Sequence, residues 1–212
     1  MAFYNDKMIE LASGGILLDI GANIGMYFES MSKVASKVYA FEPHPDNVEV
    51  LKSEALKYNN IEVVSAAIGS KDGITNLFVC DRNHRQHTLL VNIAADPRWG
   101  HSLSNFINVP SIKLDTFCIQ NNIKGITGIK IDVEGAEEFV IAGALETLRN
   151  NNAIISLETH APINADNVTE LLKSCDYIFW NTDKVLTDRI EQDKHYFCVK
   201  QGSNLSPFIG EP

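Results

Sequence analysis

Two short polar segments carry the side chains best suited to proton transfer. Asp132 and Glu134 follow one apolar run, and Glu158 and His160 follow another. Residues two apart share a face of a strand, so each pair can face one crevice. An imidazole with an unperturbed pKa of ~6.5 is mostly neutral at pH 7 and can take a proton from a hydroxyl group. We therefore expect His160 to act as a general base and Glu158 to orient its ring or bind the hydroxyl group. Asp132 is expected to take part in catalysis by balancing positive charge, and Glu134 to bind the substrate.

The same four residues have other interpretations. A histidine at a strand end is often a structural residue, and carboxylates with one imidazole also suit Mg²⁺ or Mn²⁺. We assign no metal ligand here and keep a bound cation as an alternative. Lys130 precedes Asp132 and is expected to point away from it. This expectation argues against a site in which a lysine activates the hydroxyl group.

A glycine-bearing turn earlier in the chain indicates a nucleoside site. Two apolar runs end in acids, in the segments Leu17-Leu18-Asp19-Ile20-Gly21-Ala22-Asn23-Ile24-Gly25 and Val38-Tyr39-Ala40-Phe41-Glu42-Pro43. Glycines let the backbone turn sharply and approach a ligand, because they have no Cβ. Glu42 can accept hydrogen bonds from ribose hydroxyls, and Asp19 can accept one from an ammonium group, directly or through water. The pattern predicts a βαβ unit that binds a nucleoside cofactor.

The residues of the turn favour S-adenosylmethionine as that cofactor. In the dinucleotide fingerprint Gly-x-Gly-x-x-Gly, the second and third glycines would fall on Asn23 and Met26. Both side chains obstruct a pyrophosphate loop, whereas S-adenosylmethionine has no phosphate. An NAD-dependent oxidoreductase and a non-catalytic nucleoside-cofactor-binding module remain alternatives. The predicted cofactor contacts are Asp19, Gly21, Ala22, Asn23, Gly25, Glu42, Pro43, Ala67 and Asp132, the last of these near the sulfonium.

Composition limits the classes of protein and partner. The 212 residues suit one domain, 1–212, and the formal net charge is −9, from 18 basic and 27 acidic residues. This balance makes nucleic acid an unlikely partner, since phosphate binding usually needs a basic face. No apolar stretch reaches the ~18 residues of a membrane span, and the first residues have no basic segment followed by an apolar one. We therefore expect a cytoplasmic protein with reduced cysteines, and the sequence does not indicate its oligomeric state.

The alternation of apolar runs and helix-length segments predicts an α/β fold with a doubly wound, mostly parallel sheet. A helix is expected within residues 1–14, and residues 201–212 form a tail. The expected strands are 16–20, 38–41, 61–67, 129–133 and 153–157, and the expected helices are 24–36, 45–58, 116–122, 136–149 and 164–174. Strands 177–180 and 196–200 have no helix between them, so they should form an antiparallel hairpin at the sheet edge.

An insertion is expected over residues 74–115, between strands three and four. It contains two predicted strands, 74–80 and 109–114, separated by a polar segment with Arg82, Arg85 and Trp99. The segment is either a solvated loop or a lid that binds the acceptor. In the second case the arginines would bind a phosphate or carboxylate and Trp99 would stack on a sugar ring.

Five segments of the chain are distinctive together, namely Asp19-Ile20-Gly21-Ala22-Asn23-Ile24-Gly25, Phe41-Glu42-Pro43, Leu114-Asp115-Thr116, Lys130-Ile131-Asp132-Val133-Glu134-Gly135-Ala136-Glu137 and Glu158-Thr159-His160. In this order they resemble the FkbM family of S-adenosylmethionine-dependent methyltransferases. The resemblance implies a class I methyltransferase (Rossmann-like) fold and O-methylation of a hydroxyl on a sugar, a polysaccharide or a secondary metabolite, so that the partner would be a small-molecule or carbohydrate acceptor. Many class I methyltransferases end strand three with an acid that binds adenine, but this chain has Ser65-Ala66-Ala67 there. Backbone groups and apolar packing around Ala67 and Ile68 would then hold the adenine.

Overall fold

The computed structural model describes residues 2–80, 87–89, 101–160, 163–203 and 205, which form helices around a central sheet. The helices are α1 (Ala2–Leu11), α2 (Phe28–Val34), α3 (Pro45–Ala55), α4 (Leu114–Gln120), α5 (Glu137–Ala142), α6 (Leu145–Asn150) and α7 (Ala165–Lys173). The strands are β1 (Ile16–Ile20), β2 (Lys37–Phe41), β3 (Ile61–Val64), β4 (Ala67–Ile68), β5 (Gly73–Cys80), β6 (His101–Ile112), β7 (Ile126–Ile131), β8 (Ile154–Glu158), β9 (Tyr177–Trp180), β10 (Leu186–Thr187) and β11 (His195–Lys200).

The main sheet has the strand order β10-β9-β11-β8-β7-β1-β2-β3. The five strands from β8 to β3 pair in parallel, whereas β11 pairs antiparallel with both β8 and β9. Strands β1, β7 and β8 are mostly buried apolar runs, because helices cover both faces of a parallel sheet. The predicted α/β fold with a mostly parallel sheet and antiparallel edge strands is confirmed. The carboxyl ends of β1, β2, β7 and β8 meet at one edge, where open α/β sheets bind ligands.

Strands β5 and β6 of the insertion form a second, smaller sheet with β4, in the order β4-β6-β5. The prediction of one strand over 61–67 is wrong, because β3 ends at Val64 and the chain then leaves the main sheet. Ala67 and Ile68 pair with Ser111 and Ile112 of β6 instead. The predicted acceptor-binding residues Arg82, Arg85 and Trp99 lie outside the described residues.

Two predicted helices differ from those in the structure. The helix expected from residue 24 begins only at Phe28, because Asn23 and Gly25 have φ angles of +53° and +85° and the intervening residues form turns. The helix expected over 136–149 is divided into α5 and α6. Gly143 stands at this division, where a Cβ would lie 2.0 Å from the carbonyl oxygen of Gly69. The close approach of the two backbones explains the glycine.

All four cysteines are buried, and none of them forms a disulfide bond. Cys118, Cys175 and Cys198 belong to the largest apolar core cluster, between the sheet and the helices on one face. Among the described helices, none combines the length and the apolar character needed to cross a membrane.

Candidate functional site

A cavity opens at the carboxyl ends of β1, β2 and β7, beside the glycine turn. Six of the predicted cofactor residues line it, namely Gly21, Asn23, Glu42, Pro43, Ala67 and Asp132. One wall is apolar and includes Ala66, Ala67 and Ile68, together with Leu77 and Leu89 of the insertion. The predicted cofactor residues Asp19, Ala22 and Gly25 do not belong to the described lining. The structure therefore brings together most, but not all, of the expected cofactor residues.

The turn after β1 needs its particular residues. Gly21 has φ +81°, and a Cβ there would lie 1.8 Å from the carbonyl oxygen of Asp132, so no side chain fits. Asn23 has φ +53°, a conformation that asparagine adopts more readily than most residues. This conformation lets the Asn23 backbone N–H donate a hydrogen bond to Glu42 Oε2 at 3.0 Å. The turn and the end of β2 are thereby joined.

The Glu42 carboxylate is buried at the edge of the cavity. Its Oε1 accepts hydrogen bonds from the His44 backbone N–H at 2.9 Å and from Asn47 Nδ2 at 3.4 Å. Burial raises its pKa to about 7, although these hydrogen bonds and the one from Asn23 act in the opposite direction. Glu42 is thus held in one position by donors from three sides.

Asp19 and Lys130 form a buried ion pair beneath the turn. Lys130 Nζ lies 3.2 Å from Asp19 Oδ1 and 3.6 Å from Asp132 Oδ2, and it donates a hydrogen bond to the Gly21 carbonyl oxygen at 3.2 Å. The exposed fractions are 1% for Asp19 and 3% for Lys130. Burial lowers the pKa of Lys130, but the neighbouring Asp19 and Asp132 outweigh it and raise that pKa overall.

The expectation that Lys130 points away from Asp132 is wrong. Residues two apart on a strand lie on the same face. Asp132 directly follows β7, but its backbone N–H still donates a hydrogen bond to Ile20 of β1 at 3.1 Å, and its side chain lies on the same side as that of Lys130. The ammonium group of Lys130 is nevertheless enclosed by Asp19, Asp132 and Gly21, and its side chain is only 4% exposed. It supports the turn from below.

His160 stands among four carboxylates, and we call these five residues the imidazole cluster. Its Nδ1 lies 2.9 Å from Glu137 Oε1. Its Nε2 lies 3.8 Å from Asp132 Oδ1, 3.8 Å from Glu134 Oε2 and 3.7 Å from Glu158 Oε1. The structure thus brings together the four residues expected to converge, and it adds Glu137 as the partner of the ring.

The four expected residues come together, but not through the strand alternation that we expected. Strand β7 ends at Ile131 and β8 ends at Glu158, so neither pair shares a regular strand face. Glu134 instead lies in a turn, with a φ angle of +52°. Glu137, which is fully buried, accepts a second hydrogen bond from the Gly135 backbone N–H at 3.0 Å. This turn, rather than strand alternation, gathers the acids around His160.

The charges within the imidazole cluster change how His160 titrates. Burial lowers its pKa, but the hydrogen bond with Glu137 and the carboxylates of Glu134 and Asp132 outweigh burial and raise it to about 9. The expectation of a mostly neutral imidazole at pH 7 is therefore wrong for the free protein. Burial raises the pKa of Glu134 to about 7 and also raises that of Glu158.

Three of these residues are close enough to share a divalent cation. Asp132, Glu134 and His160 each offer one ligand atom within 4.8 Å of the others. Such spacing suits oxygen and imidazole ligands, and exposed acids with this spacing are also common without a metal. A bound divalent cation therefore remains an alternative, as it was in the sequence analysis.

The sequence analysis did not identify the roles of two residues of the site, Glu137 and Lys130. Glu137 belongs to the quoted Asp-Val-Glu-Gly-Ala-Glu segment, but nothing in that segment shows which acid contacts the imidazole. Lys130 could have been placed correctly by the period of two along a strand, which puts it on the same face as Asp132.

Comparisons with known proteins identify a family and several relatives of this chain. A family model described as the methyltransferase FkbM domain matches residues 19–179. The hexuronic acid methyltransferase AglP of Haloferax volcanii is 26% identical over 163 residues, which cover 77% of this chain and 63% of the relative. The 31-O-demethyl-FK506 methyltransferase FkbM of Streptomyces tacrolimicus is also 26% identical over 163 residues, covering 64% of this chain and 61% of the relative. This chain therefore spans less than two thirds of the length of either relative.

A solved structure shares the fold. The FkbM methyltransferase from Methylobacillus flagellatus KT aligns with a TM-score of 0.53 and 16% identity, over 85% of this chain and 42% of that one. This likeness concerns the fold, and with the observed sheet order it confirms the predicted class I, Rossmann-like methyltransferase architecture. The family match extends from Asp19 at the end of β1 to Phe179 in β9, and so includes both the cavity and the imidazole cluster. The chain belongs to the methyltransferase FkbM domain family.

Proposed function

We propose that this chain is an S-adenosylmethionine-dependent O-methyltransferase that acts on a hydroxyl group of a sugar, a glycan or a small secondary metabolite. The observation that carries this proposal is the position of the imidazole cluster between two cavities. Asp132 and Glu134 line the cavity beside the glycine turn, whereas Glu158 and His160 line a second, polar cleft. A methyl donor in the first cavity and a hydroxyl group in the second would meet at the cluster.

The first cavity fits this cofactor. S-adenosylmethionine supplies, when bound, a methyl group on a positively charged sulfur. Glu42 would bind the ribose hydroxyls, and the apolar wall at Ala67 and Ile68 would hold the adenine. Asp132, at the junction with the cluster, would balance the positive charge. Gly21 lines this cavity and has no Cβ, for which the Asp132 carbonyl oxygen leaves no room.

The same turn is poorly suited to a dinucleotide. Pyrophosphate is usually bound by free backbone N–H groups at the start of a helix. Here the Asn23 backbone N–H already donates to Glu42, and α2 begins only at Phe28. This arrangement favours S-adenosylmethionine over NAD.

Proton removal is assigned to His160. Glu137 accepts a hydrogen bond from Nδ1, so Nε2 faces Glu158 and the second cleft. A carboxylate behind an imidazole fixes its tautomer and stabilises the imidazolium that forms. His160 would therefore take the hydroxyl proton at Nε2, while Glu137 holds the ring. This assignment differs from the sequence-based one, in which Glu158 was the orienting acid.

The second cleft suits an acceptor with several hydroxyl groups. Its lining includes Glu158, Thr182, Lys194 and His195 as well as His160. Glu158 in this cleft, and Glu134 in the adjoining first cavity, offer oxygens that can accept hydrogen bonds from vicinal hydroxyls. One relative is named a hexuronic acid methyltransferase and the other a 31-O-demethyl-FK506 methyltransferase, and these names support a carbohydrate or small-molecule acceptor. The role of Arg82, Arg85 and Trp99 as acceptor contacts stays a prediction.

A transfer assay with methyl-labelled S-adenosylmethionine and pooled glycans, polyols and metabolites tests the proposed function. We expect label in a product that resists mild alkali, since a methyl ether is stable where a methyl ester is hydrolysed. Label found only in an alkali-labile product would identify a carboxyl acceptor and reject the hydroxyl assignment. Cofactor binding without transfer to any acceptor would instead favour a non-catalytic module.

The pH dependence of methyl transfer distinguishes the candidate bases. The neutral imidazole is the active form, and the pKa of His160 is about 9, so kcat/KM should rise with pH until about 9. Glu137→Gln removes the charge that holds Nδ1 and should move this rise to lower pH. Glu138→Gln is the matched control, because Glu138 accepts a hydrogen bond from Asn167 and has no described contact with His160. A profile that levels off near pH 7 in the wild-type protein would point to Glu134 instead.

A further inference from the structure

One peptide group in the site is held from both sides. Glu134 and Gly135 have φ angles of +52° and +98°, so the chain between them follows an uncommon path. The Gly135 N–H donates a hydrogen bond to Glu137, the acid that contacts His160. The Glu134 carbonyl oxygen accepts a hydrogen bond from Thr88 Oγ1 at 2.8 Å. Thr88 belongs to the insertion and is 46 residues away in sequence.

Thr88 is itself firmly placed. It is fully buried, and its backbone exchanges two hydrogen bonds with Phe78 of β5, at 2.8 and 3.1 Å. Its neighbours His87 and Leu89 both line the cofactor cavity. The His87 ring stacks on His44 with ring centres 4.1 Å apart, next to the backbone N–H that binds Glu42. The segment 87–89 therefore forms one wall of the cavity and contacts the residues after β2 and β7.

We propose that Thr88 is a positioning residue, whose hydroxyl group holds the Glu134–Gly135 peptide and thereby keeps Glu134 and the Glu137–His160 pair in place. This inference rests on the proposed function, because it gives the insertion a part in preparing the base as well as in enclosing the cofactor. Without the Thr88 hydroxyl group, the Glu134 carbonyl oxygen loses the hydrogen bond that it accepts from the insertion. Small displacements of this kind are costly in a methyl transfer, since a shift of ~1 Å at a reacting group can reduce the rate by up to about 10²-fold.

Thr88→Val tests the proposal because valine has the shape of threonine without the donor, and Thr88→Ser is the matched control that keeps the donor. NMR titration of the histidine side chains gives a readout that needs no acceptor, with the His160 signal assigned by its loss in His160→Asn. In Thr88→Val the pKa of His160 should fall toward its ordinary value, because the hydrogen bond between Glu137 and the imidazole ring becomes weaker. Where an acceptor is known, kcat should fall with little change in the KM for that acceptor. Thr88→Ser should match the wild-type protein in both.

An unchanged His160 titration in folded Thr88→Val would overturn the proposal, as would a Thr88→Ser variant that behaves like Thr88→Val. Should Thr88→Val fail to fold, Thr88→Ala repeats the test with a smaller side chain. Calorimetric titration of each variant with S-adenosylhomocysteine separates this inference from the proposed function. If the wild-type protein binds none, the proposed function fails. If it binds and only the His160 titration is insensitive to Thr88, the positioning role alone fails.

Discussion

His160→Asn is expected to slow methyl transfer by about 10²- to 10⁴-fold, which is the usual contribution of a positioned general base. The affinity for S-adenosylhomocysteine should stay within about twofold of the wild-type value. His160 lines the second cleft and does not belong to the described lining of the cofactor cavity. Single-turnover rates and calorimetric titration measure the two quantities. Asparagine removes the base but keeps a polar group of moderate size beside Glu137.

Full activity in His160→Asn would contradict the assignment of the base. Glu134 would then be the next candidate, because its pKa of about 7 lies near the working pH and it also adjoins the cofactor cavity. A loss of cofactor affinity equal to the loss of rate would indicate that His160 shapes the cofactor cavity instead. The two measurements therefore separate a chemical role from a structural one.

Lys130→Met is expected to lower the free energy of unfolding by about 3 to 5 kcal/mol, the usual result of removing one partner from a buried ion pair. Asp19 is 1% exposed, and no described residue donates a hydrogen bond to its Oδ2. Loss of Lys130 therefore leaves the Asp19 carboxylate buried without its counter-charge, and it removes the donor to the Gly21 carbonyl oxygen. Urea unfolding at pH 7 measures the change.

The double variant Asp19→Asn, Lys130→Met is the control for this prediction. It removes both charges, so most of the lost stability should return, since replacement of a whole buried pair is often close to neutral. A cost below about 1 kcal/mol for Lys130→Met alone is the usual result for a solvent-exposed pair and would contradict the account of this one. A double variant no more stable than Lys130→Met would assign the loss to packing rather than charge.

Much of the fold and of the cofactor cavity follows from local sequence patterns. The buried runs of β1 and β2, each followed by an acid and a turn, fix the βαβ unit, and the closing strands without a helix predict the antiparallel edge. The division of strand three could not be predicted, because Ala67 and Ile68 leave the main sheet only in response to pairing with β6. The break at Gly143 likewise depends on Gly69, which is distant in sequence.

The chemistry of the imidazole cluster was less predictable than its membership. Asp132, Glu134, Glu158 and His160 could be named from their places after two strands. Which acid contacts Nδ1 of His160 depends on the turn at Glu134, after which Glu137 lies beside the imidazole ring. The raised pKa of His160 depends on how the fold places Glu137, Glu134 and Asp132 around the buried ring, which their order in the sequence does not show. The link from Thr88 to Glu134 joins two segments that no motif connects.

Calorimetric titration of S-adenosylhomocysteine into the wild-type protein and into Glu42→Ala tests the central claim most directly. The account predicts saturable binding to the wild-type protein and an affinity at least about 10-fold weaker in Glu42→Ala, as expected when hydrogen bonds to a charged acceptor are lost. NADH under the same conditions should give no saturable binding. Binding of NADH in place of S-adenosylhomocysteine, or an affinity for the latter that is indifferent to Glu42, would contradict the account.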